Sequence, residues 1–216
     1  MAIKYFITDV DGVIFDRMPV YLSAFAKAME PFNISDSFIQ SHIRAHLGTP
    51  VPIQIQEILK KAGILAKDGE IENVLKVFWT ICAKNNIVKI FPGVKEALDK
   101  AKSQGMFLMA SSGSNTDEIR ESFELNNLPC DFFLGSDKIL KGDEHIDIFA
   151  DYFSIEKKEF CGQAVFIGDG TTDMQIASRN GILGIGITNS LSAEVLLDAG
   201  AKAVISDIRE IFEHLA

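Results

Sequence analysis

Apolar residues recur with two different spacings along the chain, and the spacing changes near residue 90. Residues 3–8 form a short, β-branched apolar run that predicts a strand. Between Pro19 and residue 84 the apolar positions recur every three or four residues, which predicts four successive helices. One begins near Pro19, and the others cover 36–47, 51–62 and 70–84.

Beyond residue 90, predicted helices and strands alternate. The predicted strands are 106–110, 131–134, 164–167, 182–187 and 203–205, and the predicted helices are 94–103, 115–126, 144–153, 173–179, 191–199 and 208–215. Such alternation predicts a parallel sheet covered by helices on both faces. The fold class is therefore α/β, with a Rossmann-like parallel sheet core made from 1–16 and 89–216 and an inserted helical domain at 17–88.

Polar residues gather where the predicted strands end, or in the loops that follow them. The first strand is followed by Asp9 and Asp11, 106–110 by "SSGSN", 131–134 by Lys138 and Lys141, and 164–167 by "GDGTTD". In open parallel sheets, ligands bind in the crevice beyond the carboxyl ends of the strands. We therefore expect these clusters to share one site.

The residue types at this edge predict a site for a metal ion and a phosphoryl group. Asp169 and Asp173 are four residues apart, so they project the same way if the turn winds into a helix. Carboxylates that converge repel one another unless a cation lies among them, and oxygen ligands favour a hard ion such as Mg²⁺. A lysine and a hydroxyl from neighbouring strand ends supply what a phosphoryl dianion needs.

Composition and charge narrow the possible partners. The 216 residues carry a net charge of −9, and no face rich in lysine or arginine is visible, which argues against nucleic acid and anionic membranes as partners. Cys82, Cys130 and Cys161 are far apart and form no CxxC motif, which indicates reduced thiols in a cytoplasmic protein. No apolar run approaches the length of a membrane span.

Four motifs in order give the chain a family resemblance. "DVDGV", a serine after an apolar strand, a lysine, and "GDGTTD" resemble the four motifs of the haloacid dehalogenase-like superfamily. "FPGV" before the alternating half is common in members with a helical cap after the first motif. Phosphoglycolate phosphatase and β-phosphoglucomutase are similar members. The resemblance implies a Rossmann-like core and an inserted α-helical cap that closes over the site.

The resemblance also implies catalytic roles. Asp9 would attack phosphorus and form an aspartyl-phosphate, and Asp11 would protonate the leaving group and then activate water. Ser111 and Ser112 would bind the phosphoryl oxygens, and Lys141 would neutralise the charge of the transition state. A second aspartate at Asp11 favours phosphoryl transfer over dehalogenation, because dehalogenating members lack it.

The same resemblance implies the metal ligands. Asp9, Asp169, Asp173 and the backbone carbonyl of Asp11 would hold Mg²⁺, with Asp173 either a direct ligand or a partner of metal-bound water. Many relatives carry KPxPD at the third motif, whereas this chain has "KILKGDEHIDIF". Lys141 is the preferred lysine, because "KG" before a helix also occurs in the family, and Lys138 stays an alternative.

Other interpretations remain open beside this one. A lone DxD is as often a turn or helix cap as a site, and it is the order of the motifs that favours chemistry here. The leading hypothesis is a Mg²⁺-dependent phosphatase of small phosphorylated metabolites. The alternatives are a phosphomutase of the β-phosphoglucomutase type and a non-catalytic phosphate-binding regulator. His42 and His46 are four apart, and a half-exposed helix face is favoured over a metal pair.

Overall fold

The computed structural model describes residues 2–46, 51–67, 69–84, 89–137 and 139–215, without the side chains of residues 83 and 84. In these ranges the strands are β1 (Tyr5–Thr8), β2 (Phe15–Asp16), β3 (Lys89–Ile90), β4 (Phe107–Ser111), β5 (Phe132–Leu134), β6 (Ala164–Gly168), β7 (Leu183–Ile187) and β8 (Ala203–Ile205). The α-helices are α1 (Met18–Met29), α2 (Asp36–Ala45), α3 (Val51–Lys61), α4 (Glu70–Lys84), α5 (Val94–Ser103), α6 (Thr116–Leu125), α7 (Asp143–Tyr152), α8 (Lys157–Gly162), α9 (Thr171–Asn180) and α10 (Ala193–Asp198).

Six of the strands form one parallel sheet in the order β5-β4-β1-β6-β7-β8. The first strand of the chain thus lies inside the sheet, with β4 and β5 on one side and β6, β7 and β8 on the other. A sheet that grows outward in both directions has its ligand crevice where the direction changes, which is beside β1. The predicted α/β fold class with a parallel sheet is confirmed.

The core of this sheet is apolar on both faces, as expected when helices cover both sides of parallel strands. Phe6 and Ile7, neighbours on β1, are both fully buried although they point to opposite faces. On one face, Ile7 and Phe166 pack in a cluster with Phe149 of α7 and Phe160 of α8. This packing fixes the position of the strand ends that carry the polar residues.

The chain divides into two compact units, one comprising 1–16 and 89–216 and the other comprising 17–88. The second unit has its own apolar cluster, in which Phe25 and Met29 of α1 pack with Ile55 of α3 and Phe78 of α4. In the first unit, β2 and β3 pair antiparallel, with Phe15 opposite Ile90. This pair joins the two chain segments at the points where the chain leaves the first unit and returns to it.

Several local predictions differ from the structure. Residues 208–215 were predicted as an α-helix, but Ile208–Glu213 is a 3₁₀-helix whose first turn is capped by Asp207, which accepts from the Arg209 N–H. The six-residue helix α8 and the two-residue strands β2 and β3 were not predicted, because they are too short for a periodic pattern. The predicted helix 173–179 begins earlier, at Thr171, which places Asp173 in its first turn.

Two further features concern the chain as a whole. In the part of the chain that the structure describes, Cys82, Cys130 and Cys161 form no disulfide, and Cys161 is buried in the core. Among the described residues, none of the helices combines the length and apolarity that crossing a bilayer requires.

Candidate active site

The register of the sheet brings three polar strand ends to the same edge. Thr8, the last residue of β1, lies opposite Ala110 of β4 and Ile167 of β6. Asp9, which follows β1, and Ser111, the last residue of β4, therefore lie at the same level of the sheet edge. The backbone N–H of Asp9 donates to the carbonyl of Ile167 at 2.9 Å, which ties the start of the loop to β6.

Three buried carboxylates converge at this edge. Carboxylate oxygens of Asp9, Asp169 and Asp173 all lie within 4.8 Å of one another. Asp9 is 9% exposed, Asp169 7% and Asp173 2%. Three carboxylates so close together in the interior are electrostatically unfavourable, so the structure must balance their charge.

Lys141 supplies part of that balance. Its Nζ lies 2.7 Å from Oδ1 of Asp9 and 2.6 Å from Oδ1 of Asp173. The ammonium also lies 5.9 Å from the centre of the Phe166 ring. The backbone N–H of Lys141 donates to Ser136 Oγ at 3.0 Å. Lys141 is thus the lysine of this loop that meets the carboxylates, while Lys138 lies outside the described residues.

The pKa values show that the balance is incomplete. Burial raises the pKa of Asp9 well above its ordinary value, against the opposing effect of Lys141 and with help from Asp173 and Asp169. Burial and the neighbouring Asp173 raise the pKa of Asp169 to about 6. Burial alone would lower the pKa of Lys141, but Asp173 and Asp9 outweigh it and raise that pKa. One ammonium among three carboxylates leaves a net negative site.

The residues present fit a hard divalent cation. All three clustered side chains offer carboxylate oxygens, and their ligand atoms lie within 4.8 Å of one another. Burial first, and then the neighbouring carboxylates, raise the pKa values of Asp9 and Asp169. Mg²⁺ takes oxygen ligands of this kind beside phosphate groups. The site is therefore chemically suited to Mg²⁺, and a bound cation would lower the cost of burying the three charges.

Asp11 contacts the loop after β4. Ser114 Oγ donates to Asp11 Oδ2 at 2.7 Å, which links the first loop to the loop after β4. The first loop folds back on itself, because Ile14 and Phe15 donate to the carbonyl of Val10 at 2.9 and 3.0 Å. The carboxyl group of Asp11 is therefore held at the β4 side of the crevice.

Gly12 is required by both conformation and space. Its φ is +88°, in the left-handed region that favours glycine, and a Cβ built there would lie 1.9 Å from Oδ2 of Asp169. The carbonyl of Gly12 accepts from Asn189 Nδ2 at 2.8 Å, which ties the loop to the segment after β7. The Asp169 carboxylate can occupy its observed position only because residue 12 has no side chain.

Asp169 and Asp173 are held by the turn between β6 and α9. Asp173 stands at the third position of α9, where its Oδ2 accepts from the Gly170 N–H at 3.1 Å and caps the helix. Ser190, after β7, donates a short hydrogen bond to Oδ2 of Asp169. Ser190 was not predicted, although the signal was available in "TNS", which follows the strand next to β6.

Ser111, the last residue of β4, and Ser112, which follows it, have different partners. Ser111 Oγ lies 2.9 Å from Nδ1 of His145, and both residues are buried. Ser112 Oγ accepts from the Ser114 N–H at 3.0 Å, and the Ser112 N–H donates to the carbonyl of Leu134 at 2.9 Å. Ser111 and Ser112 were predicted from the sequence as phosphate-binding residues, whereas His145, which follows Lys141 by four residues, was not predicted.

A second group of metal-ligand type lies in the 17–88 unit. Ligand atoms of His42, His46 and Glu57 are within 4.8 Å of one another. Glu57 is thus a third possible ligand beside the two histidines, which the sequence had not indicated. His42 is buried, which differs from the half-exposed face predicted from the sequence. Lys61 Nζ lies 3.2 Å from His42 Nδ1, and Glu57 Oε2 lies 3.2 Å from His42 Nε2. An ammonium and a carboxylate already flank the ring, so we interpret this group as a charge-balanced polar cluster.

Comparison with known proteins identifies the family. The model of the haloacid dehalogenase-like hydrolases matches residues 6–187, which includes all of the clustered carboxylates and Lys141. The chain belongs to this family. It is an enzyme with a haloacid dehalogenase-like α/β fold.

Characterised relatives and solved structures align over nearly the full length. The chain is 24% identical to the phosphorylated carbohydrates phosphatase of Thermotoga maritima over 208 residues, which cover 92% of each protein. It is 22% identical to a phosphoglycolate phosphatase of Haemophilus influenzae over 220 residues, with 96% of each covered. A Haemophilus somnus structure described as a predicted phosphoglycolate phosphatase superposes with a TM-score of 0.83 at 19% identity, covering 99% of this chain and 98% of that one.

A structure from Bacteroides vulgatus described as a predicted β-phosphoglucomutase is also similar. It superposes with a TM-score of 0.73 at 22% identity and covers 99% of this chain and 87% of its own. At this identity the likeness concerns the fold, which phosphatases and mutases share.

The contact between Gly12 and Asp169 leads to a test by denaturation. Gly12→Ala forces a Cβ against the Asp169 carboxylate and should lower the free energy of unfolding by about 2–4 kcal/mol. Gly105→Ala is the matched control, because Gly105 has a similar φ of +79° with nothing within 4 Å of the added Cβ. We expect the control to lose about 1–2 kcal/mol. Equal losses in the two variants would contradict the assigned contact.

The raised pKa of Asp169 predicts a pH-dependent stability. Its pKa in the folded enzyme, about 6, lies above its ordinary 3.8, so the metal-free enzyme loses stability as pH rises from about 4 to 6. Asp169→Asn should therefore stabilise the metal-free enzyme at pH 7.5, by at most about 3 kcal/mol, and the gain should vanish near pH 4. Exposed Asp198→Asn, measured by the same denaturation series, should show no such pH dependence. If Asp169→Asn is less stable than the wild type at pH 7.5, the raised pKa of Asp169 is refuted.

Proposed function

We propose that the enzyme is a Mg²⁺-dependent phosphatase that hydrolyses a small phosphorylated metabolite through an aspartyl-phosphate on Asp9. The observation that carries the proposal is the meeting of Lys141 with Asp9 and Asp173 at the carboxyl edge of the sheet. The relatives that align over most of the chain include phosphatases of phosphorylated carbohydrates and of phosphoglycolate, and these support the substrate class.

Asp9 is suited to act as the nucleophile because one of its oxygens is held in place. Oδ1 contacts Lys141 Nζ at 2.7 Å and accepts from the Val10 N–H at 2.7 Å. These contacts orient the carboxylate and direct Oδ2 to attack. In the first step the bond from Oδ2 to phosphorus forms while the bond from phosphorus to the substrate oxygen breaks.

Asp11 acts as the general acid in the first step and as the general base in the second. In the first step its carboxyl group gives a proton to the departing substrate oxygen. In the second step its carboxylate takes a proton from the water that attacks phosphorus, and the bond between phosphorus and Asp9 breaks. Ser114 holds Asp11 Oδ2 at 2.7 Å and so orients the group for this exchange.

Charge control comes from the residues around Asp9. Lys141 neutralises negative charge that accumulates on the phosphoryl oxygens, and Ser111 and Ser112 line the β4 side of the crevice. Asp9, Asp169, Asp173 and the backbone carbonyl of Asp11 would hold Mg²⁺, which would supply positive charge between the carboxylates and a phosphoryl group. Residues 17–88 would form the inserted cap domain that selects the substrate.

A phosphomutase is the second candidate, since a structural neighbour is described as a predicted β-phosphoglucomutase. A mutase would return the phosphoryl group from Asp9 to a sugar hydroxyl instead of to water. Phosphorus NMR of hexose phosphates separates the two reactions, because a mutase converts one sugar phosphate into another without releasing inorganic phosphate.

The test is phosphate release from a panel of phosphorylated sugars, glycolate, nucleotides and amino acids, with Mg²⁺ or with EDTA. We expect release to require Mg²⁺, to fall on the order of 10³-fold or more in Asp9→Asn, and to fall about 10²- to 10³-fold in Lys141→Met. Lys158→Met, at an exposed lysine, is the matched control and should keep full activity.

Two results would contradict the proposal. Release that persists in EDTA would argue against the metal, and release that persists in Asp9→Asn would argue against the aspartyl-phosphate. If no compound is turned over while a phosphorylated ligand still binds, the phosphatase proposal would fall.

A further inference from the structure

The hydroxyl of Ser111 has a buried partner that the proposed mechanism does not use. Ser111 Oγ lies 2.9 Å from Nδ1 of His145, and the two residues are 1% and 0% exposed. On the other side of the ring, His145 Nε2 lies 3.1 Å from the carbonyl oxygen of Ile139. The ring is thus fixed between a strand end and the loop that carries Lys141.

The Ile139 contact decides which ring nitrogen carries the proton. A carbonyl oxygen only accepts hydrogen bonds, so Nε2 must be protonated. In a neutral ring Nδ1 is then the unprotonated nitrogen, and it accepts the O–H of Ser111. Since that hydroxyl has a single proton, it cannot also donate to a phosphoryl oxygen while the ring is neutral.

The surroundings keep the ring neutral in the free enzyme. Burial lowers the pKa of His145, and the Lys141 ammonium lowers it further. The carbonyls of Ile139 and Gly135 and the carboxylate of Glu144 act in the opposite direction without restoring the ordinary value. The Phe149 ring, 6.5 Å away, adds only apolar surface. A phosphoryl dianion beside Ser111 would add negative charge and favour the protonated ring.

We propose that His145 is a positioning residue that releases the Ser111 hydroxyl to a phosphoryl group by taking up one proton from solvent. Protonated His145 donates its Nδ1–H to Ser111 Oγ, and the Ser111 O–H turns to the phosphoryl oxygen. Both ring nitrogens of His145 and the Ser111 hydroxyl keep a partner in this state, whereas a neutral ring would be left with Nδ1 unpaired. This inference rests on the proposed function, because it requires that the site bind phosphoryl groups.

The proton balance predicts a pH dependence. Binding takes up one proton, so the dissociation constant of a dianion rises as pH rises, by up to tenfold per pH unit between the His145 pKa values of the free and bound enzyme. Sulfate is a suitable probe, because it mimics a phosphoryl dianion and does not titrate in this range. Phosphoryl transfer itself is not needed for the measurement.

The experiment combines sulfate binding with ¹⁵N NMR of the histidine rings, in the full-length enzyme with Mg²⁺ present. The chain has four histidines, and the His145 signals are identified by their loss in His145→Asn. We expect Nδ1 to be unprotonated in the free enzyme and protonated at saturating sulfate. The rise of the sulfate dissociation constant with pH that comes from His145 is up to tenfold per pH unit. His145→Asn and Ser111→Ala should each remove that part of the pH dependence.

The variants control for one another. Ser111→Ala keeps the His145 ring and its Ile139 contact, so it reports on the coupling even if His145→Asn does not fold. A purely structural His145 would change stability without changing the slope of sulfate affinity against pH.

The outcomes separate this inference from the proposed function. Sulfate that binds while His145 keeps an unprotonated Nδ1 would overturn the role of His145 and leave the proposed function standing. If the slope of sulfate affinity against pH is the same in the wild type and both variants, the role of His145 is likewise overturned and the proposed function stands. Absence of sulfate binding, together with no phosphate release from the substrate panel, would overturn both.

Discussion

The contact of one ammonium with two carboxylates is the interaction on which the site depends. Lys141 lies between Asp9 and Asp173, and Asp169 is the third carboxylate of the same buried group. The sheet around it is apolar, so this charge is not screened by water and must be balanced locally. The negative charge that remains suits the site to a divalent cation, which Asp9, Asp169 and Asp173 would hold and which would supply positive charge for a phosphoryl group.

Close backbone approaches make that arrangement possible. Gly12 leaves room for the Asp169 carboxylate, and the absence of a side chain at Gly168 leaves room for Asp173, whose Cβ would lie 2.3 Å from an added methyl group. Ser114 and Ser190 then fix two of the aspartates from neighbouring loops. The segments that follow β1, β4, β5, β6 and β7 thus all contribute to one site, which is the advantage of placing a site at this edge of the sheet.

The sequence was sufficient for the parts of this arrangement that local patterns encode. The alternation of strands and helices predicted the parallel sheet, and the position of Asp9, Ser111 and Asp169 at strand ends predicted their common edge. Contacts between distant segments could not be predicted. Which lysine meets the carboxylates depends on how the loop before α7 folds, and the pairing of Ser111 with His145 joins residues 34 apart. The 3₁₀ geometry near the carboxyl terminus and the short helix α8 likewise depend on capping and packing rather than on periodicity.

The central claim is that Asp9 carries the phosphoryl group, and protein-bound phosphate tests it most directly. Asp11→Asn should block hydrolysis of the intermediate, and an aryl phosphate needs no proton for its leaving group, so the intermediate should accumulate. Acid quenching, proteolysis and mass spectrometry would then locate the phosphoryl group. The account predicts one phosphoryl group on the peptide that contains Asp9 and none when Asp9→Asn is added. A phosphoryl group on another residue, or free phosphate released from a protein that is unmodified at every time point, would contradict it.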